Sequence, residues 1–543
     1  MNKSDYNLKM LEILSDESKF GIKDKDITLY REGQLKTFLY SLKRKGVISD
    51  EVYKKVYPKG SEPARMYGNP TTHKLSRDQL GNIIPSLRPI NSSMKSFNYK
   101  LAKYLSELLD PVIPTDHCTT DTFSFVEEIK EVRIEESFMV SFDVVNLFTN
   151  IPLDETIDLA IDRIFKHHKN IKMTKIQMRK LFVFATKQTH FVYNGQYYDQ
   201  IDGVAMGSPL GPKLANLFMG HFEKVWLNEY GGPKVLHYRR YVDDIFCMFQ
   251  KEEHVAPFLE YLNEQHPNIK FSTEKESNGC LPFLDVLIEK STNFRFETTT
   301  FRKSTYTGLL TNFTSFISMT YKIGLIRTLI NRATKINSTS EGLKKDFKFI
   351  QQTLQKNMYP QNILKRFISL NNRNENLNQT QKTEENPRIF KLPFIGRYST
   401  QVKMKINNLI KKYCKPETKV RLVFTAKKIK EYFSLKDSIS PDMTSYIVYK
   451  FCCANCGICY VGESTQQFII RMNEHLYTDK ASAIYKHLKE NNDCKSTCNR
   501  ESFSILDKAS TEYQLRIKEA FYIQKLQPIL NKQSKSISVE LIF

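Results

Sequence analysis

The chain has 543 residues, a formal net charge of +22 and 41% hydrophobic residues. That length exceeds one compact core and implies roughly two or three domains, and the hydrophobic share excludes a wholly disordered chain. The charge points to a polyanion partner, no run of about 18 apolar residues offers a membrane span, and no apolar core follows the first residues as a signal peptide requires. An intracellular, reducing setting is therefore expected, with the ten cysteines free of disulfides.

Residues 1–60 are polar, with a helical pattern over 34–45 and no visible chemistry. Residues 138–148, Phe-Met-Val-Ser-Phe-Asp-Val-Val-Asn-Leu-Phe, read as an apolar strand ending near Asp143. The chain then turns, and residues 153–165 read as a helix with acids in its first turn. Residues 203–216 are rich in glycine and proline, which allow close backbone approach, with a helix from about Lys213. Such a loop and helix suit a template base and an incoming nucleotide. In Tyr238-Arg239-Arg240-Tyr241-Val242-Asp243-Asp244-Ile245-Phe246, two aspartates sit between short apolar runs. That pattern predicts a hairpin with two carboxylates at its tip. Taken alone, Asp-Asp is more often an ordinary turn. A neighbouring strand carrying Asp143 changes the balance, because three carboxylates suit Mg²⁺ and two-metal phosphoryl transfer.

In this order the segments resemble the A, B and C motifs of a reverse transcriptase palm: Phe-Asp-Val-Val-Asn-Leu-Phe, Met-Gly-Ser-Pro-Leu-Gly-Pro and Tyr-Val-Asp-Asp. Leu87-Arg88-Pro89-Ile90-Asn91-Ser92-Ser93 resembles the fingers segment that grips a triphosphate, with Lys74 and Arg88 as its candidate cations. Leu281-Pro282-Phe283-Leu284-Asp285-Val286 resembles the primer-side palm segment. The resemblance implies that Asp143, Asp243 and Asp244 hold two Mg²⁺ ions. Gly207 and Pro209 would belong to the nucleotide site. Phe148, five residues past Asp143, would crowd a ribose 2′-OH and select deoxynucleotides, unless it is simply a core aromatic.

Residues 301–370 are basic and helical in pattern; residues 321–333 put apolar side chains at helical spacing with cations between them. In a polymerase this is the thumb, where cations meet the duplex backbone, though a solvated amphipathic helix reads the same way. Residues 371–386, rich in Asn and Gln, read as a linker. A basic segment follows to residue 440, strand-like at 392–394 and 420–424 and helical at 403–412.

Ser445-Tyr446-Ile447-Val448-Tyr449-Lys450 alternates like a strand, and ten residues separate Tyr449 from Tyr460-Val461-Gly462. The pair resembles the two strands of a GIY-YIG nuclease, although Ile447-Val448-Tyr449 lacks the first triplet's glycine. Arg471 and His475 are four apart and share a helix face. Glu519 lies in a helical stretch over 513–525, and Asn531 follows. The resemblance implies Glu519 as the metal ligand and Arg471 as stabiliser of the pentavalent phosphate. Tyr449, Tyr460 and His475 would orient or activate water, with Asn531 completing the set. Cys453-Ala454-Asn455-Cys456 is half a zinc knuckle. His487 and then Cys494 or Cys498 would supply the rest, with Cys452 and Cys459 as spare candidates.

Phe301-Arg302-Lys303-Ser304-Thr305-Tyr306-Thr307, the Asp143 motif and the C-terminal region together resemble Penelope-like retroelements, a group similar in its polymerase to telomerase reverse transcriptase. The expected fold is α+β and multidomain. A helical extension (1–60) precedes right-hand polymerase fingers and a palm with an antiparallel sheet (61–300), then a helical thumb (301–370). A linker and basic segment (371–440) leads to a small α/β GIY-YIG nuclease with its zinc knuckle (441–543). The resemblance implies an RNA-directed DNA polymerase joined to a DNA-nicking endonuclease, with Mg²⁺ in both and structural zinc. Its partners would be element RNA, target DNA and deoxynucleotides, in the nucleus and without a membrane. Three alternatives stay open: a telomere-linked or cellular reverse transcriptase with an inactive nuclease, a non-catalytic nucleic-acid scaffold, and a group II intron-type maturase.

Overall fold

A computed structural model describes residues 2–77, 83–133, 135–291, 294–364, 367, 387–414, 419–432 and 436–531. The expected linker at 371–386 lies outside the described residues. The chain divides into two compact units: Met1–Pro114 with Asn146–Glu223 and Lys436–Phe543, and Thr115–Val145 with Lys224–Leu435.

The first unit is built on a five-stranded sheet in the order Phe20–Lys23, Gln196–Gln200, Thr189–Tyr193, Ala64–Arg77, Ile83–Ser92. The last two form a long antiparallel ribbon, with Asn69 opposite Arg88. The ribbon carries Pro70, Pro85 and Pro89, which lack an N–H for the ladder and blur the strand signal in the sequence. Asn194 and Gly195 turn Thr189–Tyr193 into Gln196–Gln200, both with φ in the left-handed range (49° and 80°). That is the backbone an Asn-Gly hairpin turn favours. The helix predicted over 153–165 is Leu153–His167, with Asp154 and Glu155 in its first turn, and the one from about Lys213 is Gly211–Glu229.

The C-terminal part of this unit is a three-stranded antiparallel sheet, Cys459–Ser464, Ile447–Cys452 and Phe503–Lys508, with Ile447–Cys452 in the centre. Phe468–Asn473, Ala483–Glu490 and Glu512–Leu526 pack around it. Tyr449, Phe451, Phe468, Met472, Ile484 and Phe503 form its core. Cys452 and Cys459 occupy opposed register positions, Cα atoms 4.3 Å apart, and form a disulfide. This corrects the expectation of free thiols and removes both from the spare metal ligands: facing positions on one hairpin put the two sulfurs on the same side.

The second unit holds a four-stranded antiparallel sheet in the order His237–Tyr241, Asp244–Phe249, Phe138–Val144, Phe271–Lys275. Phe125, Met139, Phe246, Met248, Phe283 and Ile288 are among the side chains buried against it. Each large apolar side chain removed from water there contributes about 1.5–3 kcal/mol before entropy. Residues 280–300 add a three-stranded meander. The amphipathic stretch at 321–333 lies in the helix Met319–Ile336, which pairs with Ser340–Lys356 around a separate cluster that includes Ile326, Ile330, Phe347 and Leu354. Strands Arg388–Pro393 and Val420–Thr425 run parallel, joined through the helix Tyr398–Tyr413. No described helix is long and apolar enough to cross a membrane.

Candidate active sites and metal centre

In the second unit, register brings the carboxylate positions together. Asp143, on Phe138–Val144, is the direct cross-strand partner of Asp244, so both side chains leave the sheet on one face. Tyr241 pairs with Asp244, leaving Val242 and Asp243 as a two-residue turn. The Val144 N–H donates to the Asp243 carbonyl at 3.0 Å, tying the turn to the Asp143 strand. Val242 has φ of 58°, an outlier for a β-branched residue that costs about 1–3 kcal/mol and is held only by its surroundings. Part of that support is Arg240. It is fully buried (0% exposed), donates to the Val242 carbonyl at 3.0 Å and also contacts Cys118 Sγ at 3.2 Å. The carboxylate set, two acids on one sheet face and a third in the adjoining turn, offers the oxygen donors that hard divalent cations take.

The candidate nucleotide residues lie in the first unit. The Asn91 N–H donates to the Met206 carbonyl at 2.8 Å, and Ser93 Oγ donates to the Gly207 carbonyl at 3.0 Å. The fingers segment and the glycine loop are therefore clamped together. Gly207 has φ of 111°, and a Cβ there would fall 2.2 Å from the Asn91 carbonyl oxygen. Half-buried Phe148 accepts at its carbonyl from Val204 N at 2.6 Å. Its ring would lie 3.6 Å from a Cβ on Gly211. Pro209 is half-buried within the loop and Arg88 is exposed on the ribbon. Lys74 belongs to the strand Ala64–Arg77; its side chain lies outside the described residues.

The helix read as a thumb differs from expectation. Arg332 is ion-paired with Asp285, Lys322 is buried and donates to the Phe313 carbonyl, and Lys335 lies over the Phe123 ring at 4.9 Å. These three cations serve internal contacts rather than an open basic stripe. Asp285 meets Arg332 because residues 281–286 form a tight hairpin with Leu284 at φ of 57°.

The C-terminal domain assembles most of the nuclease candidates around one hydroxyl. Tyr449 is fully buried (0% exposed), and its OH accepts from Arg471 Nε at 3.2 Å and bonds His475 Nε2 at 2.5 Å. His475, in the π-helical turn Glu474–Thr478, bonds Ser482 through Nδ1 at 2.5 Å. Burial, and then the Arg471 charge, push His475 down to about 3, so its ring is neutral near pH 7. Tyr449 and His475 are buried (0% and 1% exposed), unlike the water-contacting positions expected of them, whereas Tyr460 is half-buried. Asn531 is also corrected. Its Oδ1 accepts from Val461 N at 2.9 Å and its Nδ2 donates to Val461 O at 2.7 Å, so it braces a strand. Gly462 faces Tyr449 across the hairpin, and a Cβ there would lie 2.6 Å from both the Tyr449 hydroxyl and the Tyr460 ring.

Arg471 lines a cleft of about 220 Å³ with Glu463, Arg516, Glu512 and Lys59. Burial, followed by the charge of Glu463, pushes Glu519 up to about 7, although the Glu463 N–H donates to it. Glu463 is itself raised, chiefly by burial. Two carboxylates raised side by side fit a site for a divalent cation, which would relieve both. The motif reading missed Glu463; its position directly after Gly462 was the available signal.

Cys453, Cys456, His487 and Cys494 place one donor atom each within 4.8 Å of one another. Tetrahedral zinc about 2.3 Å from each sulfur needs donors roughly 3.8 Å apart, so this set fits. Burial would raise the Cys453 thiol. The N–H groups of Cys456 and Asn455, together with His487, outweigh it and draw the thiol down to about 6. Cys498 stands nearby, its Sγ 3.5 Å from that of Cys453.

Residues 76–280 match the family described as reverse transcriptase (RNA-dependent DNA polymerase). Residues 309–369 match the animal helix-turn-helix domain. No curated protein sequence matches the chain. Among solved structures the chain is similar to apo telomerase from Candida tropicalis truncated from its C-terminal domain, at 14% identity over 44% of this chain and 57% of that one, TM-score 0.31. It is also similar to telomerase from Candida albicans in complex with a fragment of telomeric RNA, at 10% identity over 66% and 68%, TM-score 0.37. A third is the Sicinivirus 3Dpol RNA-dependent RNA polymerase, at 12% identity over 57% and 67%, TM-score 0.37. The chain thus spans 57% of the first of these structures. It carries a reverse transcriptase-type polymerase domain that includes Arg88, Asp143, Phe148, Gly207, Pro209, Asp243 and Asp244.

Proposed function

We propose that the protein is an RNA-directed DNA polymerase coupled to a DNA-nicking endonuclease of GIY-YIG type, and that it mobilises a Penelope-like retroelement by target-primed reverse transcription. The polymerase half rests on the cross-strand pairing of Asp143 with Asp244 inside a reverse transcriptase domain. Two Mg²⁺ ions, when bound, supply activation of the primer 3′-hydroxyl and neutralisation of the departing pyrophosphate. Asp143, Asp243 and Asp244 hold them, and the strained Val242 turn keeps the carboxylates aimed. The loop with Gly207 and Pro209 lets backbone approach the nucleotide, Arg88 and Lys74 bind its phosphates, and Phe148 screens the ribose. The helix-turn-helix match at 309–369 supports duplex handling by this region.

The nuclease half rests on the Tyr449–Arg471–His475 network beside Glu519. Arg471, held by Tyr449 and by Glu474 at 2.7 Å, presents a fixed cation to the scissile phosphate. Glu519 and Glu463 hold the divalent ion, and Tyr460 orients the attacking water. Cys453, Cys456, His487 and Cys494 would hold a zinc ion, which would tie the hairpin to the following helices. The substrates place the protein in the nucleus, with element RNA, target DNA and deoxynucleotides as partners.

The two activities should separate by mutation. Asp243→Ala with Asp244→Ala is expected to abolish DNA synthesis and spare nicking; Glu519→Ala is expected to abolish nicking of intact duplex and spare extension of a supplied primer. Loss of both activities in either variant contradicts the division of labour.

A further inference from the structure

The first sixty residues carry no motif, yet they reach the nuclease. Gln467 opens the helix that bears Arg471 and is fully buried (0% exposed). Its Nε2 donates to Glu32 Oε2 at 2.9 Å and to the Ser61 carbonyl at 2.8 Å. Glu32, also buried, accepts from the Ser61 N–H at 2.8 Å and pairs with Lys36 at 2.5 Å. One buried carboxylate on the helix Thr28–Arg44 thus ties Ser61 to the Arg471 helix. These buried hydrogen bonds hold Gln467 against Glu32 and Ser61 through Nε2, while its Oε1 is buried without a hydrogen-bond partner.

Two further contacts sharpen the docking. Gly60 has φ of +65°, and a Cβ there would fall 2.2 Å from the Thr465 carbonyl and 2.8 Å from Ser445 Cβ. The turn at Asn194 and Gly195 donates two N–H groups to the Asp437 carboxylate, at 3.1 and 3.2 Å, where the chain enters the C-terminal domain. Between these anchors Lys59 is delivered to the nuclease cleft. Its Nζ lies 3.7 Å from Glu512, on the helix that carries Arg516 and Glu519. Lys59, Arg471 and Arg516 are cations on the walls of that cleft. A polynucleotide strand presents one negative charge per residue. If Arg471 meets the phosphate that is cut, Lys59 and Arg516 suit its neighbours.

We propose that the N-terminal segment completes the nuclease cleft, with Lys59 binding a target-strand phosphate adjacent to the scissile one. The proposal rests on the nuclease reading above. Lys59 acts on binding: it is a compact, exposed cation with no part in the bond broken.

The test measures nicking by the full-length chain on duplex DNA with Mg²⁺ over a series of salt concentrations, for Lys59, Lys59→Ala and Lys59→Arg. Lys59→Ala is expected to raise KM about 3–10-fold with kcat within about twofold, and to reduce the slope of log(1/KM) on log[salt] by about 1. Lys59→Arg restores both. A merely structural role would leave the salt slope unmoved. If the wild-type chain nicks and Lys59→Ala changes neither KM nor slope, the proposal falls and the nuclease stands. If the wild-type chain extends a supplied primer but nicks nothing, the nuclease reading falls and takes the proposal with it.

Discussion

Gly462 has no room for a side chain, because the Tyr449 hydroxyl and the Tyr460 ring both stand where its Cβ would be. The Tyr-Val-Gly triplet was read in the sequence as a motif, and its packing reason appears only in the structure. What no triplet discloses is which tyrosine meets substrate; only burial separates hidden Tyr449 from half-exposed Tyr460. The disulfide is a similar case. Once Tyr449 faces Gly462, counting three residues along each strand brings Cys452 opposite Cys459, but the register has to be known first. Phe148 was named from its spacing to Asp143, and its packing against the glycine loop suits a gate. Phe148→Ala should raise incorporation of ribonucleotides relative to deoxynucleotides by about tenfold or more, a loss of steric exclusion worth at least 1.4 kcal/mol. Unchanged discrimination in single-nucleotide extension assays would assign Phe148 to the core instead.

At the scale of elements, the Asp hairpin was legible because strand-favouring aromatic and β-branched residues flank it and its tip is acidic. The long proline-bearing ribbon was not, since proline argues against a central strand. Within the stripe of cations at 321–333, Arg332 pairs with the sequence-distant Asp285 and Lys322 turns back to the Phe313 carbonyl, pairings the helical spacing does not disclose. Two elements of the C-terminal domain carry opposed pH dependence. His475 is lowered from 6.5 to about 3. Its contribution is complete above pH 6.5 and is lost as pH falls, at up to about 1.4 kcal/mol per unit. Glu519 is raised from 4.5 to about 7, so its contribution is present below pH 4.5 and is lost as pH rises toward 7. Between pH 4.5 and 6.5 the two offset. Without divalent metal, Glu519→Gln should make the domain lose stability as pH falls through that window, and His475→Gln should make it gain. Hydrogen exchange of the Ile447–Cys452 amides reads both slopes, and identical slopes in the two variants would contradict the assignment.

The zinc knuckle belongs to the same scale. Its donors come from a hairpin turn and two helices, and the sequence left Cys494 and Cys498 equal where the structure gathers Cys494. Purified protein should contain about one zinc per chain, and a chelator should loosen the region around Cys453 because metal binding is coupled to folding there. Cys494→Ser should lose that zinc while Cys498→Ser keeps it. Zinc-free protein with an intact C-terminal domain would refute the site.

For the whole molecule, composition and motif order were enough to read a reverse transcriptase-type polymerase region on a basic chain. The grouping of residues 1–114 with 436–543 was not readable, because it depends on pairs such as Glu32 with Gln467 that one sequence leaves unlinked. The role proposed for the N-terminal segment rests on that grouping, which no motif suggested. The central claim is that nicking supplies the primer for reverse transcription. The direct measurement combines purified protein, its own transcript, Mg²⁺ and the four deoxynucleotides with intact or pre-nicked duplex. It looks for complementary DNA joined covalently to the target strand. Joined product on intact duplex is the result expected here. Product on the pre-nicked duplex alone would contradict coupled nicking and priming, leaving a polymerase that depends on a break made elsewhere.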